Sequence, residues 1–574
     1  MKRKKELLVI LSSLLVIVLS VSVAYFTTKI LGTGKDISVT SADLKVIFTS
    51  GSGTINGTNI EPGWSSGENT FTVKNESNGT YKYNIIIKDL VNTFVTTGFL
   101  QYKITSTDGG YNMTDFTDVP KSSSARDTVL AFNISIDKGA THTYKVEFKY
   151  LESTEVDQSA DMGKTLTGKI FITKGTERPT LANQLINDNP TIGTRTDFST
   201  PFTTNTANTL YKATENATDV YYFAGQDTES TPINNWVKFG KANKNGCTYN
   251  GSTVLYFNGS SILSVENESQ CLSSKICRLG DQYGVGETVT EDLCTSEGGE
   301  WTNQNAKWST STHNLYWRII RTNADGSIRL LYHGTSTTAT DAYIGKSAFN
   351  QNSASPKYVG YMYGNTDATP EEARTNTNDS TIKTFIDNWY ENNFTAYTNY
   401  LSNDAIYCND RELASGASYS TTGKFHFKAY DRLYTNKTPT YDCTNIKDAF
   451  SGSNIEAKLK YPIALISADE LAYAGELFTK KANEISKIWI DTNSHYNYYN
   501  DISKKEFWWV NTPYYHETAD GTSVSITSNG ILSSMYEIVP FGVRPVTSLK
   551  SCVQWKSGDG SANSPYEIVE NGGC

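Results

Sequence analysis

Several absences narrow the reading of this sequence before any motif is considered. No basic stripe with interleaved aromatics occurs, and 51 Lys and Arg against 60 Asp and Glu leave a net charge of −9, so nucleic acid is not expected as a partner. The eight Cys form no C-x-x-C pair, which excludes zinc-finger spacing. H-E-x-x-H is missing too: His516-Glu517 is followed by Asp520 where a zincin carries its second His. The six His, at 142, 313, 333, 426, 495 and 516, show no spacing that assembles a catalytic or metal set, so neither a catalytic residue nor a cofactor is expected. A charged fraction of only 19%, beside 38% hydrophobic residues, excludes a charge-rich disordered chain and points to folded cores.

What is present begins with an export element. Lys2-Arg3-Lys4-Lys5 precedes the uncharged apolar run Leu7–Phe26. That run is close to the ~20 residues that span a bilayer, and it follows positive charge as the positive-inside rule expects. Residues 1–30 are read as a signal peptide or a membrane anchor; Ser22-Val23-Ala24 supplies the small residues of a cleavage site. Under either reading the rest of the chain lies outside the cell, as a secreted protein or at the extracellular face of the membrane. The membrane is a partner only if the segment stays uncleaved. No Leu-Pro-x-Thr-Gly-like motif ends the chain, so sortase attachment is not expected.

An exported chain with an even number of Cys is expected to form disulfides. Cys552 and Cys574 bracket a turn-rich segment and are paired on that ground, with Cys408–Cys443 as the second pair. Cys247, Cys271, Cys277 and Cys294 share one Gly/Ser/Asn-rich stretch and are expected to pair among themselves.

The pattern along the chain indicates a multidomain protein. Over residues 36–175 apolar and polar residues alternate, as in Thr143-Tyr144-Lys145-Val146-Glu147-Phe148, between turn groups such as Asp137-Lys138-Gly139. Such alternation predicts an antiparallel β-sandwich. Residues 176–218, rich in Thr, Asn and Asp, are read as a linker. Residues 219–574 mix element types and are read as an α+β domain with a cysteine-rich insertion at 246–309. Its signals include the hairpin around Asn323-Ala324-Asp325-Gly326, an amphipathic helix from Ser380 to Phe394, and a capping box at Ser467–Glu470. Asp325 offers too few acidic neighbours for a calcium loop.

Two resemblances follow from these residues. The apolar leader ending in Ala24-Tyr25-Phe26-Thr27-Thr28, Ile60-Glu61-Pro62-Gly63-Trp64 ahead of Thr70–Asn75, and Ile136-Asp137-Lys138-Gly139 together resemble the camelysin/TasA-like family of exported β-sandwich proteins, which includes fibre subunits, and the resemblance implies a self-assembling role as one alternative. The Trp317-Arg318-Ile319-Ile320-Arg321 hairpin, Asp387-Asn388-Trp389-Tyr390, Cys408-Asn409-Asp410-Arg411, Arg432–Lys437, Trp508-Trp509 and Gly542-Val543-Arg544-Pro545-Val546 resemble an uncharacterised family of bacterial exported domains. The order of those elements is similar to the C-type-lectin-like fold, and fold alone does not fix function.

Candidate binding residues are Trp508, Trp509, Tyr514 and Tyr515, a stacking platform for glycan or a patch for a protein ligand, with the loop 511–521 as the place where recognition would sit. Adjacent strand residues face opposite sides, so at least one indole is expected in the core. The expected function is that of a non-catalytic surface adhesin or matrix protein with a distal glycan- or protein-binding domain. A structural fibre or biofilm subunit, and a surface hydrolase acting on cell-wall or host glycans, are the alternatives.

Overall fold

Alternation of apolar and polar side chains dictates strands that bury one face, and such strands dominate the architecture. The computed structural model describes residues 28–29, 37–41, 44–50, 60–96, 98–203, 206–228, 231–258, 262–265, 267–339, 342–478, 507–517, 521–528, 531–570 and 574. Strand outweighs helix, 40% against 15%, and is spread over several sheets. The chain divides into two compact units, Met1–Gln184 with Gln554–Tyr566 and Leu185–Val553 with Glu567–Cys574. Among the described residues no helix is long and apolar enough to cross a membrane; the segment read as signal or anchor, Leu7–Phe26, lies outside them.

The first unit is a sandwich of two sheets. One runs Thr28–Lys29, Leu166–Lys174, Tyr81–Asn92, Ser122–Ile136; the other runs Ile37–Ser41, Leu44–Ser50, Asn69–Asn75, Thr141–Tyr150, Leu100–Ser106, Thr117–Asp118. Along Thr141–Tyr150 every second residue is buried, and Tyr144, Val146, Phe148 and Tyr150 enter a single core with Phe71, Val73, Ile85, Ile87 and Ile172. The expected turn at Asp137-Lys138-Gly139 is present: Gly139 adopts φ +76°, a conformation open to glycine at little cost, and its N–H bonds Asn75 O at 2.8 Å.

Inside this apolar core lies a polar knot. Tyr83 Oη lies 2.9 Å from His142 Nδ1 and hydrogen-bonds Tyr144 Oη, which in turn accepts from Tyr111 N at 3.0 Å. Gly110 leaves room for it, since a Cβ there would come within 2.4 Å of Tyr144 Oη. Burial holds the His142 pKa below its ordinary 6.5, against the opposing pull of Asp108 and Asp137. A depressed folded pKa makes His142 a source of acid lability: the sandwich is at full stability above about 6.5 and loses stability as pH falls from there through the lower folded value. Thermal unfolding of the full chain across pH 7 to 5 should show this loss, and His142→Gln, which keeps an acceptor but does not titrate, should flatten it. An unchanged pH slope in the variant would contradict the assignment.

The second unit is built on a long antiparallel ribbon of two strands distant in sequence. Trp236–Tyr249 pairs antiparallel with Lys307–Thr322, from Trp236 opposite Arg318 to Thr248 opposite Lys307. One end of this ribbon joins Ile328–Gly334, Pro545–Leu549 and Ile463–Leu465 in the unit's core; the other carries the small strands Ser252–Phe257, Ile276–Leu279, Gln282–Val285 and Glu300–Thr302 of the cysteine-rich stretch. A further sheet contains Lys346–Ser347, Phe541–Gly542, Trp508–Glu517, Gly521–Ser528, Ile531–Tyr536 and Leu477–Phe478.

Local signals act as the sequence suggests. Ser380 accepts Lys383 N to start the helix Thr381–Asn393, whose Ile382, Ile386 and Tyr390 are buried. Ser467 and Glu470 form a reciprocal capping box on Ala468–Ala474. The Asn323–Gly326 turn is closed by its own side chain, Asp325 accepting from Ser327 N at 2.9 Å and Ser402 Oγ at 2.6 Å.

The described part of residues 176–218, read from the sequence as a linker, includes regular secondary structure. It holds the helix Leu181–Asp188 and the strands Thr191–Thr194 and Thr209–Glu215, the latter pairing with Thr218–Tyr222. Leu181 and Leu185, one helical turn apart, are buried, as is Leu210. The abundant Thr that suggested a linker is equally a strand former when half-buried.

Four disulfides close: Cys247–Cys271, Cys277–Cys294, Cys408–Cys443 and Cys552–Cys574. They fit an oxidising, extracellular environment.

Candidate functional site

The strand Trp508–Glu517 carries all four residues singled out from the sequence. Trp508 and Trp509 point to opposite faces, yet both are buried, at 1% and 0% exposure. Trp509 Nε1 donates to Ser347 O at 2.8 Å, and the Arg544 guanidinium sits 4.6 Å from the Trp508 ring while its Nε donates to Tyr332 O. A strand covered on both faces buries consecutive residues, so neither indole offers a platform. Tyr514 is buried as well, whereas Tyr515 is half-buried and reaches the surface.

Beside Tyr515 the chain builds an aromatic column. Phe425–His426 pairs with the same strand, His426 opposite Tyr515. Tyr430–Thr435 follows as a π-helical turn, closed by Asn436 N donating to Asp431 O five residues back at 2.8 Å. His426, at the end of its strand, stacks on Tyr430 with ring centroids 4.0 Å apart; the Tyr434 ring, one turn on, lies tilted 4.9 Å from Tyr430, and Lys437 Nζ sits 5.3 Å from the Tyr434 ring. Tyr514 closes the base, 5.0 Å from Tyr430 and 5.4 Å from Tyr515. His426 is exposed, and Tyr430, Tyr434 and Tyr515 are half-buried, so part of each ring meets solvent.

The opposite side of the turn is an anchor. Arg432, two residues from each column tyrosine, points inward and meets Asp469 through two bonds, Nε to Oδ1 at 2.8 Å and Nη2 to Oδ2 at 2.6 Å, and also bonds Asp410. Asp410 holds a left-handed backbone, φ +50°, in a corner fixed on every side. Asn409 before it is fully buried, accepting Tyr361 N at 2.7 Å and donating to Asn511 O at 2.6 Å. Arg411 after it binds Asp448 at 2.6 Å, and Cys408 is tied to Cys443. Burial raises the Asp410 pKa, assisted by Asp469 and opposed by Arg432.

The ion network continues inward. Arg321 bonds Glu470 Oε1 at 3.0 Å and Glu215 Oε1 at 2.9 Å, with Arg329 Nε 3.6 Å from Glu470. Burial pushes the Glu470 carboxyl up, but the charges of Arg329 and Arg321 outweigh it and hold the pKa below the usual range. The void enclosed by Arg321, Asp410, Arg432, Tyr441, Asp469 and Glu470 is only about 20 Å³, room for a single water. The network pins Arg432 behind the turn that carries the column. No group of three or more His, Cys, Asp or Glu among the described residues is placed to hold a metal.

Sequence reasoning thus reached Tyr515 and missed His426, Tyr430 and Tyr434, although their strict four-residue spacing is a readable signal. The stretch 377–551, less than a third of the chain, is similar to a family described as a domain of unknown function, DUF6273. It contains the column, Asp410, Arg432, Asp469 and Glu470, and leaves out Arg321 and Glu215. No curated protein matches the chain, and no solved structure matches it.

Proposed function

We propose that the chain is a non-catalytic protein of the bacterial cell surface or its surroundings, whose second unit binds glycan through the column of His426, Tyr430, Tyr434 and Tyr515. The observation that carries this reading is the column itself: preordered rings, part-exposed, on a turn pinned from behind by Arg432. Pyranose C–H faces pack on aromatic rings, and phenol hydroxyls and the Lys437 ammonium supply polar contacts for sugar hydroxyls. Little ordering entropy is lost on binding to side chains already stacked and anchored. In this reading the fold of the second unit is C-type-lectin-like, and the sandwich is akin to the TasA-like family.

A glycan array probed with the full exported chain tests the proposal. Binding to at least one glycan class is expected, and Tyr434→Ala with Tyr515→Ala should weaken it by at least tenfold, corresponding to about 1.4 kcal/mol or more for hot-spot aromatics. Absence of any glycan ligand, or undiminished binding by the double variant, would overturn it.

A further inference from the structure

A second surface lies on the cysteine-rich stretch, outside the region similar to DUF6273. The strands Ser252–Phe257, Ile276–Leu279 and Gln282–Val285 and the short helix Glu291–Ser296, joined by Cys277–Cys294, enclose a cleft of about 290 Å³. Its wall is apolar, with Leu255, Phe257, Tyr283, Val289, Leu279 and Leu293, and the last two are 48% and 39% exposed. Gly284 also lines it, and a Cβ there would meet nothing closer than 3.9 Å, so this length of strand leaves the cleft open. Exposed leucines around an unfilled concavity are costly in a monomer and mark a contact surface.

The surroundings choose the occupant by charge. Between residues 267 and 300 the chain carries Glu268, Asp281, Glu287, Glu291, Asp292, Glu297 and Glu300 against only Lys275 and Arg278, and all seven acids are exposed. Glu297 lines the cleft itself, while Arg278 is engaged with Glu300 at 3.2 Å. An acidic rim repels an anionic lipid surface, and it repels a second copy of a chain whose net charge is −9. From this complementarity we infer that the cleft receives an apolar side chain of a cationic peptide segment, a Leu or Phe flanked by Lys or Arg, from a partner protein. The apolar residue fills the concavity between Phe257, Tyr283 and Leu293. Its basic neighbours face Glu297, Glu291 and Asp292.

The test uses the full exported chain and two synthetic peptides that share a central Leu-x-x-Phe, one with Lys at the flanking positions and one with Glu. Calorimetric titration should detect the Lys peptide and not the Glu peptide, with affinity falling as salt rises. Leu279→Ser with Leu293→Ser, both at the surface, should weaken binding at least tenfold, and Glu297→Lys should weaken it while leaving the melting curve unchanged. Equal binding of the two peptides, no effect of these variants, binding of anionic vesicles instead, or a concentration-dependent dimer in sedimentation that the leucine variants abolish would each overturn the inference. Glycan binding at the column is measured in the same variants and should be unaffected, so failure here is separable from failure there.

Discussion

Arg321→Ala should destabilise the second unit by about 3–5 kcal/mol, the range for breaking a buried ion pair by removing one partner. The side chain is 3% exposed and stands between Glu215 and Glu470, themselves 6% and 5% exposed. Removing it leaves the Glu215 carboxylate buried without its cation and Glu470 with Arg329 alone, and that desolvation penalty, more than the lost attraction, sets the size of the effect. Adding Glu215→Gln to Arg321→Ala should therefore recover part of the loss: the amide still accepts Ala324 N but carries no charge. Lys212 and Asp219 provide the contrast. Their 2.7 Å bridge is 44% and 50% exposed, so Lys212→Ala should change stability by less than about 1 kcal/mol. Because the Glu470 pKa is held low, its contribution is complete above the ordinary carboxylate range and fades as pH falls through the depressed folded value. Chemical unfolding of the variants at pH 7 checks the order of these effects.

Removing the Cys408–Cys443 crosslink should lower stability by about 4 kcal/mol, from the loop-closure entropy that a 35-residue separation returns to the unfolded chain. It should also reduce glycan binding. The crosslink holds the corner in which Asn409, Asp410 and Arg411 are fixed, and Asp410 is one of the two carboxylates that hold Arg432 beneath the aromatic column. Loss of Cys552–Cys574, with a separation of 22, should cost about 3–4 kcal/mol on the same scale and leave binding intact, since that bridge touches no residue of the column. Equal loss of binding in both Ser-for-Cys pairs would mean that general stability, and not this corner, controls the site.

Which of these features could be read from sequence depends on the range of the interaction. Local patterns were legible: the period-two burial of Thr141–Tyr150, the Ser380 cap, the Ser467–Glu470 box, and the Cys408–Cys443 and Cys552–Cys574 pairs all depend on residues close along the chain. Arg321 was visible only as part of a hairpin, because its partners lie 106 and 149 residues away. Trp508 and Trp509 looked like a half-exposed pair because alternation in one strand says nothing of a second layer; Arg544 and Ser347 supply that layer from distant segments. The column was hidden for a different reason. His426, Tyr430 and Tyr434 span a strand end and a π-helical turn, so their spacing of four does not sit inside a recognisable helix, and the partners of Arg432, Asp410 and Asp469, lie 22 and 37 residues away.

The most direct test of the column as the binding surface is hydrogen–deuterium exchange of the full exported chain with and without its best array glycan. Protection confined to peptides covering 425–437 and 507–517 is the expected result. Protection elsewhere, or none on addition of saturating glycan, would contradict it.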